Sequence, residues 1–204
     1  PLPTDAERIF HGRGGRYPGC EQWTLDAYPP VFVLTSFAPV TEPELATHNY
    51  SRIQSELDAI GVRLERWPLK PALSRDASHV EVLDAYRDEV KELVEEYGFR
   101  SVDVASVTSD HPDRTALRGK FLEEHSHMED EVRFFVAGTG LFSMHLRGKV
   151  YEVLCEAGDL ISVPDATPHW FDMGPEPDFT AIRFFTEADG WIGHFTGSDI
   201  AQRF

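Results

Sequence analysis

The sequence predicts a mainly β protein with helices, an α+β chain in which helices come first and a β-barrel or sandwich follows. Three observations predict it. From Glu131 onward, short apolar runs are separated by turn residues at regular intervals, the pattern of an all-β barrel or sandwich. Upstream, two stretches carry apolar residues at helical spacing. The 204 residues, 41% of them hydrophobic and 12% aromatic, suffice for one domain with its own core.

Residues 1–47 are poorly patterned. Gly12-Arg13-Gly14-Gly15 lacks the spacing and the Lys-Ser/Thr of a phosphate loop, so it reads as flexible backbone. After Pro29-Pro30, residues 31–34 (Val-Phe-Val-Leu) read as one strand. Ile53, Leu57 and Ile60 share a helix face that Gly61 can end. Residues 62–66 then alternate apolar and polar like a half-buried strand, and Pro68 and Pro71 break the pattern. Ser78 with Glu81 three residues on resembles a capping box. Leu83, Tyr86, Val90, Leu93 and Tyr97 continue from it as the stripe of a single helix, a packing surface that Gly98 stops. Val102, Val104 and Val107 suggest another strand, and a short helix is expected near 112–121.

The barrel portion follows. Residues 132–136 stop at Ala137-Gly138-Thr139-Gly140, a hairpin signal. Residues 141–146 stop at Arg147-Gly148, and 150–154 lead to Ala157-Gly158-Asp159. Residues 160–163 stop at Pro164, and 180–185 follow a Gly/Pro-rich turn. No repeat, low-complexity segment or linker interrupts the chain. The expectation is a single domain over 1–204: an extension or divergent first strand at 1–47, a helix-rich part at 48–122, and a barrel core at 123–204.

Nineteen basic against thirty-five acidic residues give a net charge of −16. That excludes nucleic acid and anionic membrane as natural partners. It leaves room for a small anionic substrate, because a metal and one or two arginines reverse the sign locally. No apolar run approaches the ~20 residues of a membrane span, and no secretory pattern opens the chain. Cys20 and Cys155 are too few for a disulfide framework. Reduced thiols and a cytoplasmic location are expected, with Cys155 a small core residue.

The chemistry concentrates in residues 124–133. Side chains two apart on a strand point the same way, so His125 and His127 can reach one point, and Glu131 and Arg133 share a face. Imidazoles with a carboxylate suit a divalent first-row metal such as Fe, Ni, Mn, Cu or Zn, and the absence of cysteine argues against a structural zinc site. An isolated H-x-H is weak evidence, since two nearby histidines are as readily solvated or satisfied in a core. Arg183, between Ile182 and Phe184 on a predicted strand, faces opposite to both and is a second candidate cation for the interior.

Gly119, five residues, His125-Ser126-His127, three residues, Glu131, six residues and Gly138 resemble the first cupin motif at every defined position. Gly158, five residues, Pro164 and then His169 resemble the second. That second motif departs at Ala166, where the superfamily usually has Gly, and at Met173, where Asn is usual. Longer runs are similar to the acireductone dioxygenases: 121–125, 129–136, 160–164, 167–174 and 195–200, with likeness reaching back through 61–67 to about Asn49. The resemblance covers roughly three quarters of the chain.

It implies a cupin-type β-barrel (a double-stranded β-helix or jelly roll) with N-terminal helices packed outside. It implies that His125, His127, Glu131 and His169 hold one Fe(2+) or Ni(2+) per chain. The implied substrate is the small anionic acireductone 1,2-dihydroxy-3-keto-5-methylthiopentene, cleaved with O2 in methionine salvage. Iron then gives 2-keto-4-methylthiobutanoate and formate, and nickel gives methylthiopropanoate, formate and CO. On this reading Arg133 and Arg183 are the catalytic candidates, pairing with anionic substrate oxygens, though salt bridges to acids are the plain alternative. Phe121, Trp170 and Phe171 either wall the methylthio tail or fill the core. A monomer is expected. Two rival functions share the fold: another cupin metalloenzyme, an isomerase or different dioxygenase, and a non-catalytic small-molecule-binding cupin. The runs 129–136 and 167–174 favour the dioxygenase over both.

Overall fold

In a computed structural model, the structure describes residues 7–11, 23–28, 31–36, 49–70, 72–74, 76–187 and 191–204. Gly12 to Gly15, Cys20, Pro29-Pro30 and Pro71 lie outside the described residues. The chain forms two compact units, residues 1–53 and 54–204. In the first, β1 (Glu7–His11), β2 (Trp23–Tyr28) and β3 (Val31–Ser36) make an antiparallel sheet in the order β1-β2-β3. The strand expected at 31–34 falls within β3.

The second unit begins within α1 (Tyr50–Asp58) and continues through β4 (Arg63–Arg66). The stripe expected to form a single helix forms two, α2 (His79–Ala85) and α3 (Arg87–Tyr97). The capping box at Ser78 and Glu81 is present, and Gly98 ends α3 in the left-handed conformation at φ 73°. The break falls at Tyr86, with φ −108° and ψ 22°. Its ring packs edge-on against Phe134 at 4.9 Å, and its hydroxyl accepts the Lys70 N–H at 3.1 Å. Tertiary contacts of one buried side chain thus override a helical period that propensity alone would have continued.

β5 (Ser101–Val107) and α4 (Arg114–Phe121) lead to β6 (His125–Ser126). The rest is strand: β7 (Glu131–Leu146), β8 (Lys149–Glu156), β9 (Asp159–Val163), β10 (His169–Asp172), β11 (Phe179–Phe185) and β12 (His194–Phe195). No hairpin forms at residues 137–140. β7 runs straight through them, and its two halves belong to two different ladders. The first half pairs with β11 and β9, and the second with β8 and β10. The glycines serve close approach rather than reversal. A Cβ on Gly138 would stand 1.7 Å from the Asp178 carbonyl oxygen, and one on Gly140 2.4 Å from the Phe171 ring. The Arg147-Gly148 turn does close a hairpin, with both residues at positive φ (53° and 73°) as a type I′ turn requires.

The ladder β4-β9-β7-β11-β5 thus shares β7 with the ladder β8-β7-β10-β6-β12. The curled sheet does not close by hydrogen bonds; β5 and β12 end its main path. Alternation sorts the two faces of the first ladder. Val104, Val132, Phe134, Leu160, Ile182 and Phe184 pack against Val82, Tyr86 and Leu93 of the helices. Each such side chain, fully buried, contributes about 1.5–3 kcal/mol, which is what holds α2 and α3 outside the sheet. Residues that alternate with them along β7 and β11, Glu131, Arg133 and Arg183, are left for the opposite face. Cys155 is a free, fully buried thiol, as expected of a core residue. Among the described residues no helix is long and apolar enough to cross a membrane.

Candidate metal centre

The ladder registers bring the four predicted ligands together. His169 pairs with His125 across β10 and β6, and with Met144 of β7 on its other side. His127 follows β6 directly, and Glu131 opens β7. All four side chains are buried, and one ligand atom from each lies within 4.8 Å of every other.

Each imidazole is fixed from behind. His125 Nδ1 lies 2.7 Å from the Glu123 carbonyl oxygen, His127 Nδ1 2.9 Å from that of Ile192, and His169 Nδ1 2.8 Å from that of Thr167. A carbonyl oxygen only accepts, so all three Nδ1 atoms carry the proton, and the Nε2 atoms face the centre as lone pairs. Ala166 shapes the loop that presents Thr167. It takes φ 54°, and its N–H donates to the His127 carbonyl at 2.8 Å. The turn that usually has Gly is therefore kept, at the steric cost of a Cβ in the left-handed region.

Glu131 Oε2 stands 2.9 Å from His127 Nε2 and 3.1 Å from His169 Nε2. Oε1 is 2.7 Å from Arg133 Nη2, an ion pair, though neither Oε1 nor Arg133 Nε is hydrogen-bonded. Burial opposes charge on Glu131, but the Arg133 guanidinium and the two imidazoles outweigh it and hold the carboxyl well below the usual range. Burial pushes the His125 imidazole down, with His169 adding to it. At His127 burial acts the same way, but the Glu131 carboxylate and the Ile192 carbonyl overcome it and raise the pKa.

Three imidazole nitrogens and a carboxylate converging in a buried pocket call for positive charge among them, a metal ion or bridging protons. The donor set, three imidazole nitrogens and one carboxylate without thiolate, fits a divalent first-row metal.

Beside the ligands lies a cavity of about 440 Å³, lined by Ser101, Asp103, Phe121, His125, His127, Glu131, Arg133, Arg183, Phe185 and Trp191. Arg133 sits among aromatic faces, 4.6 Å from the Phe171 ring centre, 5.1 Å from Trp191, 5.4 Å from Phe142 and 5.9 Å from Phe121. Arg183 is its cross-strand partner in β11. Like charges directly opposite are unfavourable, and each has its own acid. Asp103 of β5 takes Arg183 at both ends of the fork, at 2.7 and 2.6 Å. Arg183 therefore reaches the cavity already half engaged. Of the three aromatic candidates, Phe121 lines the cavity and Phe171 packs beneath Arg133. Trp170 faces away, its ring 6.3 Å from Phe204, because it alternates with His169 and Phe171 along β10.

Asp103, Phe185, Trp191 and the Ile192 carbonyl escaped the sequence reading. Asp103 was accessible, since it sits between Val102 and Val104 as Arg183 sits between its apolar neighbours. Trp191 and Ile192 lie where no periodicity marks them.

Comparison with known proteins finds relatives along most of the chain. Residues 34–193 match the ARD/ARD′ family. The chain is 59% identical over 162 residues to the acireductone dioxygenase of Stenotrophomonas maltophilia (strain K279a), covering 79% of this chain and 88% of that protein. It is 60% identical over 148 residues to that of Alcanivorax borkumensis, covering 72% and 82%. Among solved structures, it resembles the acireductone dioxygenase from Bacillus anthracis with cadmium ion in active center. That match has TM-score 0.68 and 30% identity, covering 76% of this chain and 95% of that one.

Proposed function

This chain belongs to the acireductone dioxygenase family, and from that premise we propose that it cleaves an acireductone with O2 at the centre formed by His125, His127, Glu131 and His169. The observation that carries the proposal is the three backbone-anchored imidazoles around Glu131. They would hold Fe(2+) or Ni(2+). A bound divalent metal supplies Lewis acidity and a template for two adjacent anionic oxygens.

The chain's own residues supply the rest. Arg133 and Arg183 give the cavity positive charge that offsets the protein's net −16 for an anionic substrate. Arg133 donates to a substrate oxygen; its Nε is unpartnered within the protein. Arg183, held by Asp103, presents a fixed guanidinium rather than a mobile one. Phe121, Phe185 and Trp191 form an apolar wall that accepts a thioether tail and keeps water from a reactive enediolate. The Arg133 guanidinium and the two imidazoles hold the Glu131 carboxyl well below its usual range against burial, which favours the anionic form a cation would bind.

The protein is proposed to act in methionine salvage as a cytoplasmic monomer. Product analysis tests the chemistry: iron-loaded protein should give formate and 2-keto-4-methylthiobutanoate, and nickel-loaded protein should release CO. Intact substrate with both metals would overturn it.

A further inference from the structure

Residues 192–196 are all exposed, so hydrophobic burial does not hold this segment in place. Yet it carries a part of the centre. The Ile192 carbonyl is the group that fixes the His127 tautomer, at 2.9 Å, and Phe195 pairs with His125 across β12 and β6. A carbonyl that decides which nitrogen of a ligand faces the metal has to stay where it is.

Its fastening is polar. The Thr196 N–H donates to the Glu124 carbonyl at 3.1 Å, and the Thr196 hydroxyl donates to the Glu124 carboxylate oxygen Oε2. The other carboxylate oxygen takes His145 Nδ1 at 2.8 Å, which ties the same group to β7. Glu124 is 4% exposed. A buried carboxylate is unfavourable unless its partners satisfy it, and Glu124 makes no contribution to the cavity that would explain its retention there.

We infer that Glu124 and Thr196 are positioning residues for the metal centre: their bond clasps residues 192–196 against β6 and so keeps the Ile192 carbonyl on His127. The inference rests on the metal-centre reading above.

Cobalt(II) affinity, measured by chelator competition on the full chain, tests it together with amide exchange in 192–196 and the melting temperature of the metal-free protein. Thr196→Val should weaken cobalt binding about tenfold or more, speed exchange in 192–196, and lower the metal-free melting temperature by only a few degrees, the cost of one partner lost to the Glu124 carboxylate. Thr196→Ser, which keeps the hydroxyl, should restore wild-type affinity. Three outcomes would overturn the inference: unchanged affinity in Thr196→Val, a loss that Thr196→Ser does not restore, or a metal-free variant that fails to fold. Wild-type protein that binds no cobalt would instead overturn the metal-centre reading itself.

Discussion

His127 receives its orientation from one part of the chain and its charge environment from another. Ile192 fixes the Nδ1 proton and Glu131 faces Nε2, the first 65 residues further along the chain and the second on the next strand. Replacing such a ligand removes one of four donors and leaves the Ile192 carbonyl unpaired. His127→Ala should therefore drop metal content on elemental analysis from one per chain to a small fraction. Full retention would remove His127 from the ligand set. Arg133 touches Glu131 but belongs to the cavity. Arg133→Ala should keep metal and lower turnover at least a hundredfold, because the anionic substrate loses its buried cation. An unchanged rate would return Arg133 to an internal ion pair. His125, His127 and Glu131 were legible as candidate ligands because strand alternation shows which side chains share a face, and His169 through the resemblance of the second motif. The Ile192 carbonyl was not, since main-chain groups leave no trace in residue identity.

Among the elements, β7 decides the shape. Its passage from one ladder to the other puts Glu131 and Arg133 at one end and the hairpin to β8 at the other. Gly140→Ala would press on Phe171, a buried ring already confined by Phe142 at 4.9 Å. A loss of about 1–3 kcal/mol is expected from such overpacking, read by urea unfolding; a variant as stable as wild type would show that the ring can yield. Sequence signals alone favoured a hairpin here, because Gly-rich residues mark reversals and close backbone approaches alike. The missed break at Tyr86 has the same character: the helical stripe is continuous, and only the packing of its ring shows why the backbone departs.

Helix α4 buries none of its residues, yet it carries Phe121 to the cavity. The forked pair of Arg118 with Asp172 of β10, at 2.6 and 2.8 Å, fastens it. Burial of Asp172 opposes its charge, but Arg118 and the Gly174 N–H prevail and its pKa is lowered. A depressed carboxyl contributes stability that is fully present above its ordinary value of about 3.9 and is lost as pH falls through the folded value. Arg118→Met should raise KM several-fold with metal content intact, and should cost about 1 kcal/mol at neutral pH that disappears in acid. A stability loss persisting below pH 3 would assign Arg118 to packing instead.

For the whole molecule, the net charge of −16 and the arginine-bearing cavity divide two tasks on the proposed reading, solubility for the first and capture of an anion for the second. The family match begins at residue 34, and β1 and β2 precede it. Deleting residues 1–30 should accordingly leave turnover unchanged, whereas a truncated chain that fails to fold would make them part of the barrel. The order of helices and strands was readable because periodicity survives in each segment. The sharing of β7 between two ladders was not, because pairing partners far apart in sequence are set by tertiary contacts. One measurement bears on the central claim most directly. Anaerobic, iron-loaded protein is mixed with an acireductone, oxygen is admitted, and the enediolate absorbance is followed against a metal-free control. Fast loss that depends on the metal is the predicted result; loss no faster than the control would contradict the assignment of this centre to acireductone cleavage.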